Sequence, residues 1–353
     1  MKTMARNSLK NAFNAQPGWE DINAFVEAAR EGRVEEVESV AKKFPASIDT
    51  LVWRHSYVGQ TALMHAAMTG QMAVVEVLLD HGAQVDAADT MRGTVLAIAA
   101  GRGDMKMVDL LLARGAEINA AEPDHWHSAI SSAAGGGHHD IVLKLLDLGG
   151  VPDAHALSVA AAGGHLEIAR RLLEHGAFPD QQALNSAAWG GHKDVAQLLI
   201  DAGAYADGAA LKSAAVGGKA EMARFLIRNG APADTDAEAQ GGRTALMDAA
   251  AGGQKEIIQL LIDHGANPNR TNDRGETALM YAVSAGVDGT VRLLLDNGAD
   301  PRIVANDGHT ALSIVKRHLT VFKDSELLKG VERLLEAWGT PPAPKLGNNA
   351  PRP

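Results

Sequence analysis

No cysteine occurs in the 353 residues, which excludes a disulfide framework and any thiolate metal site, and leaves the compartment open on that ground alone. Aromatic residues make up only 4% of the chain; with Ala and Gly abundant, this composition suits helices packed closely through small side chains. A basic surplus is missing too. The formal net charge is −10, which argues against a phosphate backbone as the main partner, because binding one requires clustered Lys and Arg. No segment approaches eighteen uninterrupted apolar residues, and the N-terminal MKTMARNSLKNAFNAQPGWED has basic residues without the apolar run of a secretory signal. The expectation is a soluble, cytoplasmic protein with neither a membrane nor a nucleic acid as partner.

What is present is repetition. A single hydrophobic core stops growing at about 250–300 residues, a limit that repeat architectures escape because each unit packs only on its neighbours. ALSVAAAGGHLEIARRLLEHGAFPD, residues 156–180, and ALNSAAWGGHKDVAQLLIDAGAYAD, residues 183–207, nearly superimpose. An Ala-Ala pair sets the register at Ala28-Ala29, Ala66-Ala67, Ala99-Ala100, Ala133-Ala134, Ala160-Ala161, Ala187-Ala188, Ala214-Ala215 and Ala249-Ala250, then Ala282-Val283 and a degenerate Val315-Lys316. The steps between them are 38, 33, 34, 27, 27, 27, 35, 33 and 33 residues. That gives ten repeats, the outer two atypical.

Each full repeat reads as helix, turn, helix. Thr caps the first helix in GQTALMHAA, GRTALMDAA, GETALMYAV and GHTALSIV, where a hydroxyl accepts an otherwise unpaired N–H. Gly closes that helix at a place that commonly needs a positive φ. The second helix, as in MAVVEVLLDHGA and EIIQLLIDHGA, has apolar residues at i, i+3, i+4 and i+7. Asp140, Glu167, Asp194, Glu221 and Glu256 fall in its first turn, where the helix dipole favours a negative charge.

On these residues the chain resembles the ankyrin-repeat family. GQTALMHAAMTGQMAVVEVLLDHGAQVDAAD, residues 59–89, and GETALMYAVSAGVDGTVRLLLDNGADP, residues 275–301, carry the family's length and landmarks, and the likeness covers about residues 21–339. The Pro usual after the capping Thr is Ala or Val here, a departure that costs little. The resemblance implies an all-α repeat solenoid of helix pairs with β-hairpin fingers. It divides the chain into an N-terminal extension at 1–20, one repeat domain at 21–339 and a Pro-rich, disordered tail at 340–353. Within that domain 21–50 is an N-terminal cap, 51–301 the repeats and 302–339 a C-terminal cap. The three 27-residue steps are about six residues short of a full repeat, so fingers are expected at the ends of the array and none in the middle, leaving a central notch.

Gly-Gly-His recurs, at His138, His165 and His192, and the same place holds Lys219 and Gln254 in later repeats. A position that accepts all three residue types is not a metal ligand by necessity. Neighbouring helices pack at about 8–10 Å, so these imidazoles start too far apart to share a zinc with bonds near 2 Å. The resemblance implies that they bond backbone between repeats. His81, His175 and His264, in a His-Gly-Ala context, are expected to cap helix C-termini.

In AEPDHWHSAI, residues 121–130, Asp124, His125, Trp126 and His127 would decorate a finger tip beside the notch, and partner contact is favoured there over metal or acid-base chemistry. The family's buried Leu position on the first helix holds His65, Ile98, Ser132, Val159, Ser186, Ser213, Asp248 and Tyr281, in which Asp248, Tyr281 and Ser213 could hydrogen-bond. By resemblance, the groove is lined by finger tips and by the two residues after each Ala-Ala pair. The candidate partner-binding residues are Met68, Thr69, Arg92, Arg102, His125, Trp126, His127, Trp189, Val216, Gly217, Arg243, Arg274 and Tyr281. Small floor residues such as Gly217 would let a partner approach, and Trp189 would anchor it. No phosphate loop, nucleophile elbow or HExxH is present. The expected function is a non-enzymatic, monomeric scaffold or adaptor that binds another protein and carries no cofactor or metal. The alternative is a small-molecule binder or enzyme using Asp124, His125 and His127 or the Asp248 and Tyr281 pair.

Overall fold

The computed structural model describes residues 19–45, 48–50, 59–90, 93–120, 128–234 and 241–339. Among them are twenty α-helices and no named strand. In chain order they are α1 (Trp19–Glu31), α2 (Val34–Lys43), α3 (Ala62–Thr69), α4 (Met72–Asp80), α5 (Val95–Gly101), α6 (Met105–Ala113), α7 (Ala129–Gly135), α8 (His139–Asp147), α9 (Ala154–Gly163) and α10 (Leu166–Glu174). There follow α11 (Gln181–Gly190), α12 (Lys193–Asp201), α13 (Gly208–Val216), α14 (Ala220–Arg228), α15 (Ala245–Ala251), α16 (Lys255–Asp263), α17 (Ala278–Ala285), α18 (Asp288–Asp296), α19 (Ala311–Val321) and α20 (Glu326–Gly339).

They form the ten helix pairs that the Ala-Ala register predicts. Within each of two compact halves, odd-numbered helices pack on odd-numbered helices of neighbouring pairs, as α5 does on α7 and α15 on α17, and even on even, as α16 does on α18. The chain divides into two compact halves, 1–183 and 184–353, with the boundary inside α11. Within each half the Ala pairs sit where backbones approach: Ala66, Ala67, Ala99 and Ala100 in the first, Ala214, Ala215, Ala249 and Ala250 in the second, all buried. Leu63, Leu78, Leu96 and Leu111, and in the second half Leu184 and Leu199, fill the layer between odd and even helices.

Local chemistry explains why the helices begin where they do. Oγ1 of Thr61, Thr94, Thr244, Thr277 and Thr310 each accepts the N–H three residues on, as expected. The shortened repeats use another cap that the sequence reading missed. Asp153, Asp180 and Asp207 accept from Ala156, Ala183 and Ala210 at 2.6, 2.8 and 2.8 Å. A carboxylate at this position caps as well as a hydroxyl and adds a favourable charge at the positive helix end. The first-turn acids Asp140, Glu167, Asp194, Glu221 and Glu256 all stand as read.

Among the described residues, three of the full connections fold back as short hairpins. Asp89 N–H donates to Gly93 O at 3.0 Å, Asn272 N–H to Glu276 O at 3.0 Å and Ala305 N–H to His309 O at 2.8 Å. Successive fingers also bond to each other, Asp273 N–H to Gly241 O and Asn306 N–H to Arg274 O. With only one or two cross-bonds apiece they are turns rather than strands, and Ala88 and Thr94 form an isolated bridge. In the shortened repeats α8 leads to α9, α10 to α11 and α12 to α13 without a finger. Arg92, Asp124, His125, Trp126, His127 and the tail at 340–353 lie outside the described residues.

Candidate functional site

The Gly-Gly-His motifs are packing devices. His138 donates a ring N–H to Gly101 O at 3.1 Å, and its ring occupies the space beside Gly103 and Gly136 where Cβ atoms would otherwise stand. His165 fills the equivalent slot beside Gly137 and Gly163, Lys219 beside Gly191 and Gly217, Gln254 beside Gly218 and Gly252. The slot requires a side chain of a certain length, not a particular chemistry, which is why residue types interchange there. His81, His175 and His264 donate Nδ1–H to the carbonyls of Val77, Arg171 and Leu260 at 2.8, 2.9 and 2.8 Å, the C-terminal capping that their context predicts. Asn229 and Asn297 do the same through Nδ2.

In the N-terminal half, the predicted groove residues Met68, Thr69 and Arg102 are exposed, and two of them are tied to neighbouring helices. Thr69 Oγ1–H donates to Arg30 O at 2.9 Å, and Arg102 Nη1 donates to Met68 O. Thr69 therefore serves packing between α1 and α3 whatever else it contacts.

In the C-terminal half, Trp189 at the end of α11 and Val216 at the end of α13 are 56% and 54% exposed. Such exposure for two large apolar side chains on adjacent odd helices is costly in water unless something covers them. Gly217 does not share their openness. An added Cβ there would lie 2.3 Å from Trp189 O, so contact between α13 and α11 itself requires a residue without a side chain.

The next repeats present a charged cluster. Asp248 on α15 is buried, its side chain 8% exposed, with Oδ1 2.6 Å from Arg243 Nε and Oδ2 3.9 Å from Nζ of buried Lys212 on α13. Burial raises the Asp248 pKa above its ordinary value, against the lowering by Arg243 and Lys212, and burial likewise lowers that of Lys212, opposed by Asp248. Arg243 also lays its guanidinium over the Tyr281 ring, 4.3 Å from the centroid, a cation–π contact. Tyr281 O–H donates to Glu276 Oε2 at 2.8 Å, and Asn272 Nδ2 donates to the same carboxylate oxygen at 2.9 Å. Burial, then the Glu276 bond and charge, raises the Tyr281 pKa.

This corrects the proposed Asp248–Tyr281–Ser213 hydrogen-bonded group. Ser213 O–H donates to Ala209 O within its own helix, Tyr281 turns to its finger, and Arg243 stands between Asp248 and Tyr281 as cation to both. Lys212 stands one column away from the polar series that contains Ser213, so that series does not reveal it. Arg274, also predicted, is exposed on the adjoining finger. Its N–H donates to Asn272 Oδ1 at 2.9 Å. Gly241, Arg243, Asn272, Asp273, Arg274 and Tyr281 line a pocket of about 500 Å³.

Stacked helix pairs with short fingers define the class of this chain, an all-α repeat solenoid. Family models described as ankyrin repeats match residues 8–89, 25–122, 126–209 and 205–272 in one form and 261–315 in another. The chain belongs to the ankyrin-repeat family. Among solved structures, the human ASB11 ankyrin repeat domain is similar, at 22% identity and a TM-score of 0.48, over 70% of this chain and 99% of that one. No curated protein matches the chain by sequence. Ankyrin repeats are generally protein–protein interaction modules. No helix among the described residues is long and apolar enough to cross a membrane.

Proposed function

We propose that this chain is a non-enzymatic scaffold or adaptor that binds a partner protein along the ends of its odd-numbered helices and the adjoining finger tips. The observation that carries this reading is the pair Trp189 and Val216, two exposed apolar side chains on consecutive odd helices in the C-terminal half. An exposed tryptophan flanked by a polar rim is the kind of residue on which binding energy concentrates. Arg243, Arg274 and Tyr281 extend the surface with charge and a second aromatic, and Met68 and Arg102 offer a separate face in the N-terminal half. The net charge of −10 favours a protein over a nucleic acid as partner, and we place the chain in the cytoplasm as a monomer.

An enzymatic reading finds less support. Asp248 is buried and already ion-paired, and Tyr281 O–H is engaged by Glu276, so neither presents a free acid or base to a substrate. The test is affinity capture with wild type, Trp189→Ala and Val216→Arg, with circular dichroism confirming that each variant is folded. Gly217→Arg is unsuitable, because its Cβ would collide with backbone. A partner retained by wild type and lost by both variants supports the groove; undiminished retention by both refutes it.

A further inference from the structure

We propose that the pocket between Arg243 and Arg274 is a socket for a carboxylate of the bound partner, an Asp or Glu side chain. This deepens the groove-binding reading and rests on it.

The case begins with what holds Arg243. Its Nε is buried and lies 2.6 Å from Asp248 Oδ1, while its guanidinium plane stacks on Tyr281 at 4.3 Å. One edge and one face are thus committed, yet a third of the side chain, 34%, remains exposed on the side that lines the pocket. The platform beneath it is fixed as well. Asn272 Nδ2 lies within hydrogen-bond reach of both Tyr281 Oη and Glu276 Oε2, at 3.0 and 2.9 Å, so the ring cannot swing away without breaking bonds. A guanidinium oriented in advance loses little freedom on binding, which is the condition under which its planar fork recognises a carboxylate best.

Across the pocket, the Arg274 backbone is pinned on both sides, its N–H to Asn272 Oδ1 and its carbonyl by Asn306 N–H at 2.8 Å. The guanidiniums then select the ligand. Among the described residues, Asp248 faces Arg243 from within, Glu276 accepts from Tyr281 and Asn272, and Asp273 stands on the wall. Two arginines lining one pocket suit a planar carboxylate, which a guanidinium fork meets with two parallel hydrogen bonds. The volume, about 500 Å³, falls within the range of enclosed ligand sites and exceeds one acidic side chain, so the peptide backbone next to that side chain also finds room.

The socket is tested without the partner. Arginine Nε–H signals of the full chain are followed by NMR during titration with N-acetylglutamate, with N-acetylglutamine and with inorganic phosphate, in wild type and in Arg274→Gln. Arg274 is exposed, so its replacement leaves packing intact. The expected result is a saturable displacement of the Arg243 signal by N-acetylglutamate, weaker by about tenfold in Arg274→Gln, and no saturable response to N-acetylglutamine. An absent response, an equal response to the amide, or tighter binding of phosphate than of N-acetylglutamate overturns the proposal. Loss of partner capture in Trp189→Ala and Val216→Arg alongside a failed titration removes the socket alone; intact capture in both removes the groove reading whatever the titration gives.

Discussion

Replacing Gly217 with Ala separates a floor made open for a partner from one closed by neighbouring backbone. Gly217 has φ −74° and ψ −6° at the C-terminus of α13, a conformation that any L-residue adopts. Considered alone the change should help, since Gly→Ala at a compatible position stabilises by about 0.4–1 kcal/mol through the unfolded chain. The structure predicts the opposite sign. The new Cβ would lie 2.3 Å from the carbonyl oxygen and 3.1 Å from the carbonyl carbon of Trp189. The obstacle is backbone, so relief requires α13 to move off α11. Overpacking of this kind costs about 1–3 kcal/mol. After the entropic gain, the net loss is about 1–2 kcal/mol.

Two companion variants make the argument exacting. Gly330 lies within α20 with nothing inside 4 Å of its added Cβ, so Gly330→Ala should gain about 0.5–1 kcal/mol. Gly163 is equivalent to Gly217, but its Cβ would meet His165 Nε2 at 2.4 Å, the far end of a side chain that can rotate aside. Gly163→Ala should cost less than Gly217→Ala. Repeat arrays can unfold in parts, so urea midpoints by circular dichroism need to be paired with amide hydrogen exchange read in α11 and α13. If Gly217→Ala equals or exceeds wild type in stability and its protection in those helices is unchanged, the small-residue floor is not set by helix contact and the reasoning fails.

Two further outcomes are expected. Asp248→Ala should destabilise by about 3 kcal/mol in urea unfolding, because it removes the carboxyl oxygens that Lys212 and Arg243 face and leaves both donors without that acceptor, whereas Lys212→Met with Asp248→Leu should recover most of the loss; no recovery would show that the two positions are not coupled. The pH dependence has a definite sign: burial holds the folded Asp248 carboxyl above its ordinary value of 3.8, so wild type should gain stability relative to Asp248→Asn as pH falls through that raised value, levelling off below 3.8. His138→Ala should cost about 1–3 kcal/mol for a lost hydrogen bond and a vacated slot, and a chelator should leave the wild-type midpoint unchanged; a chelator-sensitive midpoint would restore a metal role.

Much of the fold was legible because it is written many times over. One Ala-Ala pair is weak evidence, but its recurrence fixed ten helix pairs, their register and the three junctions without fingers. The interchange of His138, His165, Lys219 and Gln254 marks a packing slot from the sequence alone. Caps were read less completely. Thr61 and Thr277 stand five residues before the Ala-Ala pair, whereas Asp153, Asp180 and Asp207 stand seven before it, so both residue type and offset concealed the second kind of cap. Gly217 marks a limit of composition: it shows that a residue is small, but only helix separation shows how much of the space a neighbouring helix takes.

The charged cluster was half legible, and the missing half shows what a repeat sequence can still yield. In register, Lys212 stands in the column occupied by buried Met64, Met247 and Met280, and Asp248 in the next column of the following repeat. A cation and an anion placed at buried positions in adjacent columns of adjacent repeats are candidates to compensate each other, since either alone would be costly. Lys212, Asp248, Arg243 and Tyr281 then run from the core of α13, through α15, to a ring set on α17, each within contact of the next. The orientation of a surface guanidinium is therefore set in part by residues buried behind it, Lys212 and Asp248. Substitutions at Lys212 or Asp248 should alter recognition at Arg243 through its geometry, whereas substitutions at exposed Arg274 should alter it through charge alone.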